Sequence, residues 1–171
     1  MQGLHVKTAY ILCAVFLKPG SGKSTAAENY TKSADNVIWV SRDKIRFSLL
    51  KEGEDYFSHE DEVLDLFYSS IQKYLDNGYD VIADATHLNS NSRHNTLAML
   101  NLKDVELNVI YLDVPLKVAM ERNDKRTGLS RVPQSVVRRM YYQKEAPTYG
   151  EGWEHIYIVN EWGGVRELER T

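Results

Sequence analysis

The residues of this chain with the clearest chemical capacity lie together at Gly20-Ser21-Gly22-Lys23-Ser24-Thr25. An apolar run from Thr8 to Leu17 leads into them, and a helical pattern from Gly22 to Thr31 leads out. In a glycine-rich loop between a strand and a helix, backbone N–H groups turn inward and bind phosphate oxygens. The start of the helix adds positive potential at the same place. Lys23 would then reach the β- and γ-phosphates of ATP, and the Ser24 hydroxyl would help hold Mg²⁺. The plainer alternative is a glycine turn that opens a helix; the strand–loop–helix context favours the phosphate cradle. The usual spacing G-x-x-x-x-G-K-[ST] puts its first glycine at position 17, where this chain has Leu17. Glycine there eases a sharp exit from the strand. The chain therefore needs a differently shaped entry to the loop, or it binds nucleotide less tightly.

A second group is Ser41-Arg-Asp43-Lys-Ile-Arg46, placed where a second apolar run ends. Ligands of open α/β sheets bind outside the carboxyl ends of the strands. On a first helical turn, Asp43 and Arg46 share a face. A carboxylate there can take the proton of an attacking hydroxyl, and the arginine can grip a substrate phosphate with two parallel hydrogen bonds. Read alone, Asp43 is an aspartate stabilised by a helix dipole; following a phosphate cradle, the proton-accepting reading takes precedence. A third run ends in Asp84-Ala-Thr86-His-Leu-Asn89, with Arg93 beyond it. Asp84 is placed to contact Mg²⁺ through water, or to orient Asp43 or Lys23. Thr86 is placed to donate to an acceptor phosphate, or to serve with Asn89 as a helix cap. His87 and His94 have no metal-ligand spacing and read as core or surface residues.

A third group is Glu121-Arg122-Asn-Asp-Lys-Arg126-Thr-Gly128, which begins in a helix and breaks at the glycine. Arg122 and Arg126 share a helical face. Transfer of a phosphoryl group needs cations around the migrating group, and arginines on a mobile lid supply them. The alternative is a solvated basic helix end. Arg131, Arg138 and Arg139 are weaker candidates, since the last two fall on different faces of one helix.

These groups need a scaffold. Beyond the first run, Asn36–Val40, Asp80–Ala83, Val105–Leu112 and His155–Val159 read as strands. Helices are expected at His59–Asn77, Ser90–Leu102, Leu116–Lys125 and Pro133–Glu145. In the first of these, Leu64, Phe67, Tyr68, Ile71, Tyr74 and Leu75 share a face, and Ser58 with Asp61 resembles a capping box. Pro133 suits a first helical turn. Strands alternating with helices predict a parallel sheet with right-handed crossovers. The apolar run near the N-terminus is too short to span a bilayer and lacks a small-x-small cleavage pattern, so no targeting or membrane segment is expected.

Length and composition bound the rest. A chain of 171 residues fits one domain spanning 1–171, with 43% apolar and 26% charged residues. A single cysteine, Cys13, leaves no internal disulfide and fits a reducing, cytoplasmic setting. The net charge of −3 excludes a uniformly basic protein that coats nucleic acid. That average hides a segregation. Residues 117–144 hold eight basic residues against two acids, and residues 51–65 hold seven acids against one lysine.

Taken in order, these pieces resemble the 5′-hydroxyl polynucleotide kinases of the P-loop superfamily, of the phage end-healing and DNA-repair type. The likeness runs through Pro19-Gly-Ser-Gly-Lys-Ser-Thr25, Ser41-Arg-Asp-x-x-Arg46, Asp84-x-Thr-x-Leu-Asn89 with Arg93, and Leu112-Asp-Val-Pro115. It continues through Arg122-Asn-x-Lys-Arg126, Val132-Pro133 and Glu145-Ala-Pro-Thr-x-x-Glu151-Gly-Trp153. The resemblance implies an adenylate-kinase-like P-loop NTPase fold, with a parallel sheet flanked by helices and a C-terminal helical lid at about 117–145. It implies ATP·Mg²⁺ held by Lys23 and Ser24, and Asp43 as general base. Arg46 would bind the acceptor's phosphate, with Asp84, Thr86 and Arg93 near the acceptor. Arg122 and Arg126 would stabilise the transferring phosphoryl. The acceptor would be the 5′-hydroxyl end of DNA or RNA. Kinases with similar motifs act on tRNA-bound serine or small hydroxyls, and a nucleotide-binding switch without catalysis is a reading of another class. The phosphatase motif D-x-D-x-[TV] that often accompanies this family does not occur here.

Overall fold

A computed structural model describes residues 6–13 and 36–170. The phosphate-cradle residues Gly20, Ser21, Gly22, Lys23, Ser24 and Thr25, with Leu17 and the helix expected after them, lie outside the described residues.

The apolar runs form strands β1 (Lys7–Cys13), β2 (Val37–Ser41), β3 (Asp80–Ala85), β4 (Val105–Leu112) and β5 (His155–Val159). A short strand, β6 (Val165–Glu167), follows. They make one sheet in the order β2-β3-β1-β4-β5-β6. β1 to β5 are parallel, and β6 returns antiparallel along β5. This short strand forms one edge of the sheet.

Near-continuous apolar runs, rather than alternating ones, suit strands that are covered on both faces. Ala9 and Ile11 of β1, with Val81 and Ala83 of β3, Val109 of β4 and Ile156 of β5, bury one face. Tyr10, Ile82, Leu112 and Val159 bury the other. β1 lies inside the sheet. The chain leaves it for the β2 edge and later passes it again to reach β4. Such a reversal of strand order opens a crevice at the carboxyl ends, and the candidate residues gather there.

Helix α1 (Arg42–Leu49) starts immediately after β2, with the Ser41 side chain capping the Lys44 N–H. Helix α2 (Glu60–Asp76) lays Val63, Phe67, Ile71 and Leu75 in a stripe of i, i+4 steps; the last three join the first face of the sheet. Its start corrects the expected capping box. The cap residue is His59, no side chain caps the helix, and Ser58 stands outside it. Instead, Glu60, Asp61 and Glu62 oppose the helix dipole. The His59 ring meets Glu54 at 2.9 Å and Glu60 is held by arginines of α1, which sets where the helix begins.

Helix α3 (Ser90–Ala98) opens with a reciprocal cap between Asn89 and Ser92. It stops short of the expected Leu102; Leu100 and Leu102 pack on the core from a loop. Helices α4 (Leu116–Asp124) and α5 (Gln134–Gln143) form the expected helical region, separated by a 3₁₀ turn at Gly128–Ser130. Pro133 precedes α5 rather than occupying its first turn. Among the described residues no helix is long and apolar enough to cross a membrane.

Candidate active site

The register brings the second and third groups together. Ser41, the last residue of β2, pairs with Asp84 of β3, and Asp84 also pairs with Leu12 of β1. Asp84 is buried, and its Oδ2 accepts from the Trp39 indole N–H at 3.1 Å. Thr86, two residues on, is exposed. Asp43 follows Ser41 on the first turn of α1, so its carboxylate stands at the carboxyl edge of the sheet with 44% of its side chain exposed.

Asp43 does not stand alone. Its Oδ1 accepts from Arg46 Nη1 at 2.7 Å and from the Tyr56 hydroxyl at 2.8 Å. Arg46 Nη1 also reaches the Tyr56 oxygen at 2.9 Å, which closes a triangle of three polar groups. Among the described residues, Oδ2 of Asp43 takes no hydrogen bond. Arg46 extends the cluster. Its Nη2 donates to Glu60 Oε2 at 2.7 Å, and Arg42 holds the other oxygen of Glu60.

Burial works against the charges in this cluster, yet pairing outweighs it. Desolvation lowers the Arg46 pKa, but the Glu60 hydrogen bond and the charges of Tyr56, Glu60 and Asp43 hold it above its usual value. Desolvation also raises Glu60, and its two arginines bring it below the ordinary carboxylate range. Tyr56 is pushed up to about 12, first by burial and then by the Asp43 charge. Its hydroxyl therefore stays protonated and donating throughout the neutral range.

The segment that follows α4 contributes Arg126. Burial lowers its pKa, while the Asp43 and Tyr56 charges oppose that shift, so Arg126 lies within electrostatic reach of the same cluster. Its Nη1 also donates to the Ser130 carbonyl at 3.3 Å. Asn123, fully buried, donates to the Val132 carbonyl at 2.8 Å and accepts from its N–H at 3.1 Å, so it ties α4 to the segment before α5. Arg122 points elsewhere and donates to the Glu161 carbonyl at 2.6 Å. That places it beside a cavity of about 520 Å³, lined by Asp113, Pro115, Tyr141, Asn160, Glu161 and Arg166 among others. This cavity shares no residue with the Asp43 cluster.

Two expected acceptor contacts are placed differently. Arg46, with its side chain 3% exposed, commits its terminal nitrogens to Asp43, Tyr56 and Glu60. Arg93 is 1% exposed and makes a bidentate pair with Glu151, both bonds 2.7 Å, with a third bond to the Glu145 carbonyl at 3.0 Å. Its guanidinium therefore ties α3 to the 3₁₀ turn at Tyr149–Glu151 rather than facing solvent. His87 is a core residue whose ring meets the Thr96 hydroxyl at 3.1 Å, and His94 is exposed.

Tyr56, Glu60 and Asn123 are missing from the sequence reading of the site. Tyr56 and Glu60 fall in the acidic stretch 51–65, whose composition singles out no one residue. Asn123 sits between two arginines that draw attention from it. For magnesium, one or two protein oxygens suffice when the nucleotide phosphates supply the rest. Asp84 beside the strand ends fits that need, with Ser24 expected from outside the described residues. Among the described residues no three His, Cys, Asp or Glu side chains gather as a metal cluster.

A family model described as an AAA domain matches residues 18–147. The L-seryl-tRNA(Sec) kinase of Methanococcus maripaludis is 29% identical over 143 residues, covering 80% of this chain and 53% of that protein. The chain thus spans about half the length of that curated relative. A chain of the Pnkp1/Rnl/Hen1 RNA repair complex superposes with a TM-score of 0.68 at 27% identity, over 81% of this chain and 44% of that one. A putative kinase from Chloroflexus aurantiacus superposes with a TM-score of 0.66 at 14% identity, over 94% and 88%. The last likeness speaks to the fold alone, a P-loop kinase-like sheet flanked by helices.

Proposed function

The chain belongs to the AAA domain family, and we propose that it is an ATP-dependent kinase whose acceptor is the 5′-hydroxyl end of RNA or DNA. The observation that carries this reading is the Asp43 carboxylate. It stands at the carboxyl edge of the sheet, with Oδ1 fixed by Arg46 and Tyr56 and with Arg126 within electrostatic reach of it. In the reaction the acceptor oxygen bonds to the γ-phosphorus and the bond to the β-phosphate oxygen breaks. ADP departs, and Oδ2 of Asp43 takes the hydroxyl proton. Arg126 counters the charge that spreads over the phosphoryl oxygens. Arg46 acts through Asp43 by fixing its orientation. Mg²⁺ bound with ATP, with Ser24 and Asp84 nearby, would neutralise phosphate charge.

The acceptor class rests on support from two relatives. One is named for a kinase of a seryl-tRNA, and the other belongs to an RNA repair complex. The first supports a second reading, transfer to a hydroxyl carried by an aminoacyl-tRNA. The test incubates the protein with γ-labelled ATP and, separately, 5′-hydroxyl oligonucleotides, seryl-tRNA and small alcohols. Label on the oligonucleotide 5′ end, reduced by at least about a hundredfold in Asp43→Ala, is the expected result. Label on seryl-tRNA or a small alcohol alone would move the assignment to that acceptor. ATP binding with no transfer to any acceptor would leave a nucleotide-binding switch.

A further inference from the structure

Next to Tyr56 stands a large apolar side chain that the core does not use. Phe57 is 66% exposed. Its ring meets the Tyr56 ring edge-on, with centroids 4.8 Å apart and planes at 86°. The Arg46 guanidinium carbon lies 5.8 Å from its centre. Tyr56 is fixed on the other side by its two hydroxyl bonds and by the Arg46 guanidinium, 4.4 Å over its ring. The aromatic pair is therefore anchored through Tyr56 to the Asp43 cluster, and one ring is offered to solvent beside it.

We propose that Phe57 is a stacking platform for the terminal nucleobase of the acceptor, which sets Phe57 apart as a specificity-determining residue. This rests on the reading of the acceptor as a 5′-hydroxyl nucleic-acid end. Three features favour a base over other ligands. An exposed aromatic face stacks any base without hydrogen-bond selection. The neighbouring loop carries Glu52, Glu54 and Asp55, with Glu60 and Asp61 beyond, which repel a phosphate but not the uncharged face of a base. Among the described residues, Arg46 is the cation set against the ring, and it is already neutralised by Asp43 and Glu60. Phe57 adjoins Tyr56, whose hydroxyl bonds Asp43 at 2.8 Å, so a base on Phe57 is held beside the cluster that would receive its 5′-hydroxyl.

The experiment compares two oligonucleotides that both end in a 5′-hydroxyl, one with a normal terminal nucleotide and one with an abasic terminal sugar. The wild-type protein is expected to show a lower KM for the first, by roughly five- to hundredfold, the range that stacking of one base provides. In Phe57→Ala the ratio falls to about one. Phe57→Leu, which keeps apolar bulk but removes the aromatic face, is expected to lose the ratio too, and Phe57→Trp to keep it. Because the ratio is taken within one variant, a general loss of folded protein cancels. A terminal 2-aminopurine gives a reading independent of turnover, since its fluorescence is quenched on the wild type and not on Phe57→Ala. Equal KM values in the wild type, or a ratio preserved in Phe57→Ala, would overturn the platform while leaving the kinase reading intact. No transfer to either oligonucleotide would remove the acceptor reading and the platform with it.

Discussion

One oxygen of Asp43 accepts both the Tyr56 hydroxyl and the Arg46 guanidinium, and this fixes the plane of the carboxylate while leaving the other oxygen for the proton transfer proposed above. Tyr56→Phe removes one of these donors and keeps the ring that packs against Arg46. Losing a hydrogen bond to a charged group costs about 1.5 kcal/mol, or about tenfold in rate if it acts on the transition state. The expected outcome is a kcat about tenfold lower with KM little changed, measured by label transfer at saturating acceptor. An unchanged kcat would show that Arg46 alone orients the base. The same variant has a signature in stability. Tyr56 ionises near 10 when unfolded and near 12 when folded. Its contribution is fully present below pH 10 and is lost as pH rises toward 12. The gap in urea midpoint between wild type and Tyr56→Phe should therefore narrow from pH 9 to pH 12. Among these residues, the Asp43–Arg46 spacing is legible in the sequence because three residues on a helix define a face. Tyr56 is not, because a residue in an irregular acidic loop has no periodicity to betray where its hydroxyl points.

At the scale of elements, the edges of the site depend on ties between segments far apart in the chain. Arg93 leaves α3, and its guanidinium is received by Glu151 fifty-eight positions later. Glu151 is drawn below the usual carboxylate range. Burial alone would raise it, and the bonds from Arg93 and from the Thr148 N–H outweigh that effect. Replacing Glu151 by Gln leaves the buried guanidinium without its counter-charge, which typically costs about 3–5 kcal/mol. The stability that this carboxylate confers is present above its unfolded pKa and is lost as pH falls through the depressed folded value. Urea denaturation should therefore show Glu151→Gln well below wild type at pH 7, with the two converging toward pH 3. A constant gap across that range would mean that shape rather than charge holds the turn. The sequence marks both residues inside recognisable motifs, and a motif does not say whether an arginine faces substrate or protein. The helix starts show the same limit. Asn89 and Ser92 behave as their types suggest, whereas α2 begins two residues past Ser58 because tertiary partners of His59 and Glu60 decide its first turn.

For the whole molecule, the parallel sheet is legible because strands covered on both faces must be apolar along their length, and β1, β3, β4 and β5 are. The order that sets β3 and β4 on either side of β1 follows from long-range pairing that local pattern does not carry. Charge is distributed at this same scale, and it sets how the protein meets a polyanion. Seven acids lie in 51–65, the loop that carries Tyr56 and Phe57 and the start of α2. Eight basic residues lie in 117–144, the region that carries Arg126 toward Asp43. Of these, Arg122 and Arg131 are already bonded within the protein, and Lys144 pairs with Asp113 at 3.1 Å. On the proposed function, this arrangement predicts a protein that grips an end and does not track a backbone. Each phosphate neutralised on a single strand contributes about −0.7 to the slope of log affinity against log salt. One or two contacts predict a slope of about −0.7 to −1.4 for a 5′-hydroxyl oligonucleotide, independent of its length beyond the first few nucleotides. Fluorescence anisotropy across a salt series, with short and long strands compared, measures it. A slope steeper than about −3, or one that grows with length, would mean that the basic residues of 117–144 form a continuous groove, and the end-binding picture would be wrong.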